Sequence, residues 1–130
     1  MTIRLQMITF VVPDYDPAIS FFADGLGFDL ISNEDQGRKR WVVVGAPGGG
    51  SRMVLARASD EAQERAIGCQ TGGRVGFFLQ TDTFDDTAQR ITRSGGHFTE
   101  EPRNEPYGRV AVFRDPWGNL WDLIEPAGKN

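Results

Sequence analysis

At 130 residues the chain has room for one domain, long enough to bury roughly two thirds of its unfolded surface in a single core. Apolar residues at 39% and charged residues at 25% exclude a disordered chain, and no apolar run approaches the ~20 residues of a membrane span. The net charge of −4 includes 14 basic residues whose one run is Arg38-Lys39-Arg40; this argues against a nucleic-acid surface and favours neutral or cationic small ligands.

In chain order, Gln6 to Val12 reads as a central strand ended by Pro13-Asp14-Tyr15-Asp16. Asp16 is a good N-cap, and Pro17 suits the first helical turn, where its missing N–H costs nothing. Ile19, Phe22 and Ala23 recur at helical spacing until Gly25-Leu26-Gly27 stops the helix. Phe28 to Ile31 follows as a strand and Asn33 to Gly37 as a polar turn. Trp41–Val44 and Met53–Arg57 are strands around Ala46-Pro47-Gly48-Gly49-Gly50. That loop lacks the Gly-Lys-Ser/Thr ending of a phosphate cradle and reads as a plain hairpin connection. Ser59 to Ile67 reads as a short helix capped by Ser59, and Gln70-Thr71-Gly72-Gly73 as a linker.

After the linker the pattern starts again. Val75–Gln80 is a strand, Asp82-Thr83-Phe84-Asp85 a turn, and Asp85 a second N-cap. Ala88 and Ile91 face the helix inward, Gly95-Gly96 stop it, and His97–Thr99 resume as a strand. A hairpin, Val110–Phe113 and Leu120–Ile124, completes the unit. Such recurrence of independent features marks a repeated β-α-β-β-β module. The expected fold is α+β: two tandem modules whose curled mixed sheets enclose a cleft, with the helices outside. The whole of 1–130 is one domain, with module one over about 1–58, a linker over about 59–73 and module two over about 74–126.

The last hairpin turns at Asp115-Pro116-Trp117-Gly118-Asn119. Pro116 presets φ, Asp115 caps the turn through its side chain, and Gly118 accepts positive φ. On the returning strand Leu120, Asp122 and Ile124 share one face and Trp121 and Leu123 the other. A carboxylate between two apolar neighbours needs a partner or a purpose. Asp122 is therefore either bonded structurally, by backbone or by an arginine such as Arg109, or functional. By alternation the cleft face also holds Met7, Thr9 and Val11, then Gly76, Phe78 and Gln80, then Val110 and Val112, with Tyr107 at the mouth; Trp41 begins a strand that lines the same cleft. This is an apolar pocket with few convergent polar groups, the usual make-up of a small-molecule site.

The segments PDYDPAISFFADGLGF (Pro13–Phe28), GGHFTEEP (Gly95–Pro102) and PYGRVAVFRDPWGNLWDLIEP (Pro106–Pro126), with the paired modules, resemble the vicinal oxygen chelate superfamily. That group includes glyoxalase I, bleomycin-resistance proteins and extradiol dioxygenases, and its fold hosts many activities. Its metal-dependent members place ligands on the first and last strands of each module. Carried over, those positions are Met7, Met53 or Val54, Gly76 and Asp122. A thioether, an alkyl side chain and a glycine are not ligands for Mg, Mn, Fe, Ni or Zn, and one carboxylate is too few. The resemblance thus implies a metal-free small-molecule-binding protein, with no cofactor, and a homodimer. The alternative is a superfamily lyase, isomerase or dioxygenase, either metal-dependent or using Asp122 as acid or base. Expected ligand-binding residues are Met7, Thr9, Trp41, Met53, Phe78, Gln80, Tyr107, Val110, Val112 and Asp122, the last also the catalytic candidate.

Other reactive groups read as bland. His97 lies beside Gly96 and before Glu100-Glu101, as a solvated strand residue. Cys69, the chain's one cysteine, sits in a Gly-rich stretch away from any histidine and cannot close an internal disulfide. With no signal-peptide pattern after Met1-Thr2-Ile3-Arg4, a cytoplasmic protein with no membrane partner is expected. Glu100, Glu101 and Glu105 read as a solvated acidic run.

Overall fold

The structure, a computed structural model, describes residues 1–128. It divides into two compact units, Met1–Ala66 and Ile67 onward. Among the described residues each unit builds one sheet, four strands in the first and five in the second. The chain is thus α+β, and the strand-helix-strands order recurs, with three strands after the helix in the first unit and four in the second, two of them short.

In unit one, β1 (Met7–Val12), β2 (Asp29–Asp35), β3 (Arg40–Gly45) and β4 (Arg52–Arg57) lie in the order β1-β4-β3-β2. The first and last strands of the module pair parallel, and the others antiparallel. Helix α1 (Tyr15–Ile19) continues as one wide π-helical stretch, Ser20–Gly25, and packs against β3 and β4. The helix-side face buries Phe10, Val12, Val42, Val44 and Leu55 beneath Phe21 and Phe22. Phe22 meets Phe10 edge-on at 5.3 Å and Phe28 at 5.4 Å between ring centres, the geometry that ring quadrupoles favour.

Some local expectations shift. Asp14, not Asp16, is the N-cap, accepting from the Tyr15 N–H at 2.8 Å; Asp16 pairs with Arg40 instead. The polar stretch from Asn33 continues β2, because Asn33 and Glu34 pair with Val42 and Trp41 across the sheet. The turn itself is closed by Gln36 donating to the Lys39 carbonyl. Helix α2 (Glu61–Ala66) is capped by Asp60, which accepts from the Gln63 N–H, while Gln63 reaches back to Ser59; this is reciprocal capping.

In unit two, β5 (Val75–Gln80) pairs parallel with β9 (Leu120–Pro126), and β9 pairs antiparallel with β8 (Gly108–Arg114). The far edge of β8 is covered by two short pieces, β6 (His97–Phe98) and β7 (Arg103–Glu105). Between them the ladder is interrupted, and Pro102 has no N–H to restore it. Helix α3 (Phe84–Arg93) packs on β9 and β6. Its first N–H, from Phe84, goes to the Glu125 carboxylate at 2.7 Å. Asp85, expected as the cap, pairs with Arg109.

The turn after β8 is a dense hydrogen-bonded knot. Asp115 is 2% exposed, and its Oδ1 accepts from the N–H groups of Trp117, Gly118 and Asn119, each at 3.0 Å. Its Oδ2 accepts from the Asn119 amide at 2.9 Å and the Trp121 indole N–H at 3.0 Å. Gly118 has φ +108°, a conformation that only glycine adopts without strain. Trp121 then stacks on Phe113 at 5.8 Å and lies 4.8 Å from Phe77. The turn that starts β9 therefore also sets which way β9 faces.

Candidate functional site

With Trp121 and Leu123 buried on the helix side, alternation turns Leu120, Asp122 and Ile124 to the opposite, open face of the unit-two sheet. Register then sets the neighbours. Asp122 lies between Phe78 of β5 and Val112 of β8, and Ile124 between Gln80 and Val110. Phe78 is 66% exposed, so a large aromatic surface stands next to the carboxylate. Val110 is buried, while Gln80 is exposed. Tyr107, in the turn between β7 and β8, is 58% exposed.

Asp122 is half-buried, and its Oδ1 is shut off from solvent with no hydrogen-bond partner. Arg109, one suggested partner, faces the other way, over the Phe84 ring and paired with Asp85 at 3.1 Å. Burial holds the Asp122 carboxyl above its ordinary value; Arg103 pulls it down and Glu100 pushes it up. The contrast with Asp115 is physical: one buried carboxylate has five donors and the other carries a bare oxygen. A bare buried oxygen costs about 1–3 kcal/mol; Oδ2, which is not shut off in this way, is the oxygen that a donor on a bound molecule would meet.

The acidic run around Glu100 is not mere solvation. Glu100 Oε2 accepts from the Val112 N–H at 2.9 Å, replacing the missing ladder bond. Both Glu100 oxygens take the Arg103 Nε at 3.1 and 3.2 Å, and Glu105 takes Nη1 at 2.6 Å. These two glutamates hold the Arg103 guanidinium more firmly protonated. Arg103 pairs in register with Val110, which puts it on the same open face as Asp122. Sequence reasoning passed over it, although Glu100-x-x-Arg103-x-Glu105 was the available signal.

In unit one, Met7 and Thr9 stand on the open face with Trp41, but Met53 does not. Met53 pairs with Ile8 and Val44, is 7% exposed, and belongs to the helix-side core. Val54, paired with Thr9 and Val43, holds the open-face position instead. The parallel register of β1 on β4 decides this. A surface groove of about 690 Å³ also lies in unit one, lined by the first residues and the loop after β3, including Arg4, Leu5, Ile31 and Arg52. It includes none of the residues expected at the site.

The model of the family described as Glyoxalase/Bleomycin resistance protein/Dioxygenase superfamily matches residues 4–123. The chain belongs to this superfamily. Its similarity to an uncharacterised protein of Shewanella frigidimarina (strain NCIMB 400) is 49% identity, over 91% of this chain and 90% of that one. Among solved structures, UcmS2 is 30% identical with a TM-score of 0.78, covering 95% of this chain and 98% of its own. TnmS3, an antibiotic binding protein from Streptomyces sp. CB03234, is 28% identical with a TM-score of 0.68, covering 98% of each chain.

The metal that some superfamily members hold does not fit the donors present. The corresponding positions of unit one carry Met7 and Val54, neither with a hard oxygen or imidazole donor. In unit two Gly76 offers no side chain, and the space above it is filled by Thr71: a Cβ placed there would collide with the Thr71 methyl. Thr71 is itself tied down by donating to the Arg74 carbonyl at 2.7 Å. Asp122 remains alone, and among the described residues no three or more His, Cys, Asp or Glu side chains are grouped for an ion. Glu125 supplies no further donor, since its carboxylate caps α3 on the other face. His97 is exposed on β6 and Cys69 is an exposed thiol. Among the described residues no helix is long and apolar enough to cross a membrane.

Proposed function

We propose that this protein binds a small organic molecule without chemical change and without a metal or other cofactor. The open face carrying Phe78, Gln80, Val112 and Asp122 receives the ligand. The carrying observation is the half-buried Asp122 carboxylate, which has no partner at its enclosed Oδ1 and stands between an exposed aromatic ring and aliphatic neighbours. Such a site suits a ligand with a flat apolar body and one cationic or N–H donor group, since a charge-assisted bond satisfies the carboxylate best. The likeness to TnmS3, an antibiotic binding protein, supports sequestration as the role. In this reading Tyr107 and Val110 flank the site, and the protein works as a cytoplasmic homodimer.

A planar aromatic cation with a fluorescence response, such as ethidium, tests the reading. It should bind the wild-type protein saturably, and Asp122→Asn should weaken binding about 10- to 100-fold, the equivalent of one hydrogen bond to a charged group. Equal affinity for both proteins would refute the role of Asp122. A second reading, an enzyme using Asp122 as acid or base, draws on its raised pKa; turnover of a bound compound that is lost in Asp122→Asn would favour it.

A further inference from the structure

Asp122 has a cation on its own face of the sheet, and yet its oxygen stays bare. Arg103 stands level with Val110, two strands from Asp122 and two residues along. At strand spacings this is on the order of 12 Å between backbone positions, a gap that an extended arginine and an aspartate close together. The guanidinium is turned to Glu100 and Glu105 instead, through Nε to both oxygens of one and Nη1 to one oxygen of the other. Glu100 is in turn anchored by the Val112 N–H, on the residue that faces Asp122 across the ladder. The interrupted edge at 99–102 is what frees that N–H for a side chain.

We infer that Glu100 and Glu105 are positioning residues that hold Arg103 away from Asp122 and so reserve its carboxylate for the ligand's donor group. The reservation for a ligand rests on the binding reading above; the restraint of Arg103 does not. Two glutamates and one arginine leave the group with one net negative charge, and Asp122 adds another. The face is therefore selective for cations. Were Arg103 free, an internal ion pair would fill the place that the ligand takes. The charged groups facing Asp122 are Arg103 and Glu100, with Glu105 acting through Arg103; Phe78 and Gln80 of β5 bring no charge.

The test uses the full chain without ligand. Asp122 is followed by carboxyl ¹³C NMR through a pH titration, with Asp122→Asn assigning its signal. In Glu100→Gln/Glu105→Gln the glutamine at position 100 still accepts from Val112, and Arg103 is released. The Asp122 midpoint should then fall by about 1–3 pH units, as expected for an arginine moving beside an aspartate. Removing two nearby negative charges lowers it somewhat by itself, so the same pair of substitutions is made in Arg103→Gln. There the fall should be less than half as large. An equal fall with and without Arg103, or no fall in the double variant, overturns the inference. Neither result depends on ethidium binding, so failure of the binding reading remains distinguishable from failure of this one.

Discussion

Asp122→Asn should make the empty protein more stable at neutral pH, an unusual direction for substitution of a half-buried residue. Oδ1 of Asp122 has no partner and no solvent, and burial is the main cause of the raised pKa. An unsatisfied buried polar atom costs about 1–3 kcal/mol, more when charged. The amide of asparagine also goes partly unsatisfied, so the net gain is set at ~1 kcal/mol. For a chain of this size that is a rise of about 3–5 °C in Tm, interpolated between smaller and larger domains. The pH dependence has a definite sign. With the folded-state pKa above the ordinary 3.8, the contribution of Asp122 is fully present below that ordinary value and is lost as pH rises through the folded pKa. The asparagine variant should therefore lead the wild type at pH 7, and its lead should close towards pH 4. Urea unfolding of both proteins at fixed concentration, at pH 7, 5.5 and 4, measures the difference at each pH. A less stable variant at pH 7 would show that the carboxylate is favourably paired in the folded protein. A gain that does not change with pH would show that charge is not its origin.

Asp115→Asn should act in the opposite direction. Its new amide nitrogen would face the donors of Asn119 and Trp121 now served by Oδ2, so a loss of about 2–4 kcal/mol is expected for two bonds to a buried charged acceptor; urea unfolding followed by tryptophan fluorescence measures it, and a loss below 1 kcal/mol would contradict the geometry. Tag-free, dialysed protein should contain well below one equivalent of Mg, Mn, Fe, Co, Ni or Zn per chain, by elemental analysis. None of these ions should raise its Tm, because an ion that binds only the folded state must stabilise it. Stoichiometric metal that is lost on Asp122→Ala would restore the metalloenzyme alternative.

Local chemistry made much of this protein legible in the linear chain. The Asp115-Pro116-Trp117-Gly118-Asn119 turn, the return of β9 and the opposite facing of Trp121 and Asp122 follow from turn preferences and the period of two. The module repeat follows from recurring helix starts and glycine stops, which also need only neighbours in sequence. What the chain could not disclose depends on partners far along it. Met53 and Val54 are equally apolar, and only the pairing of β4 with β1 and β3 sends Met53 to the core. Glu125 caps α3 from 41 residues away, displacing the local candidate Asp85. Glu100 looked solvated until the missing ladder bond at Val112 gave it a partner. Above all, whether Asp122 was satisfied could not be read from its own strand. Donors for Asp115 lie within six residues, so a turn supplies them; donors for Asp122 would have to come across strands. Tertiary structure instead gives Arg103 to Glu100 and Glu105, and leaves one buried oxygen of Asp122 bare.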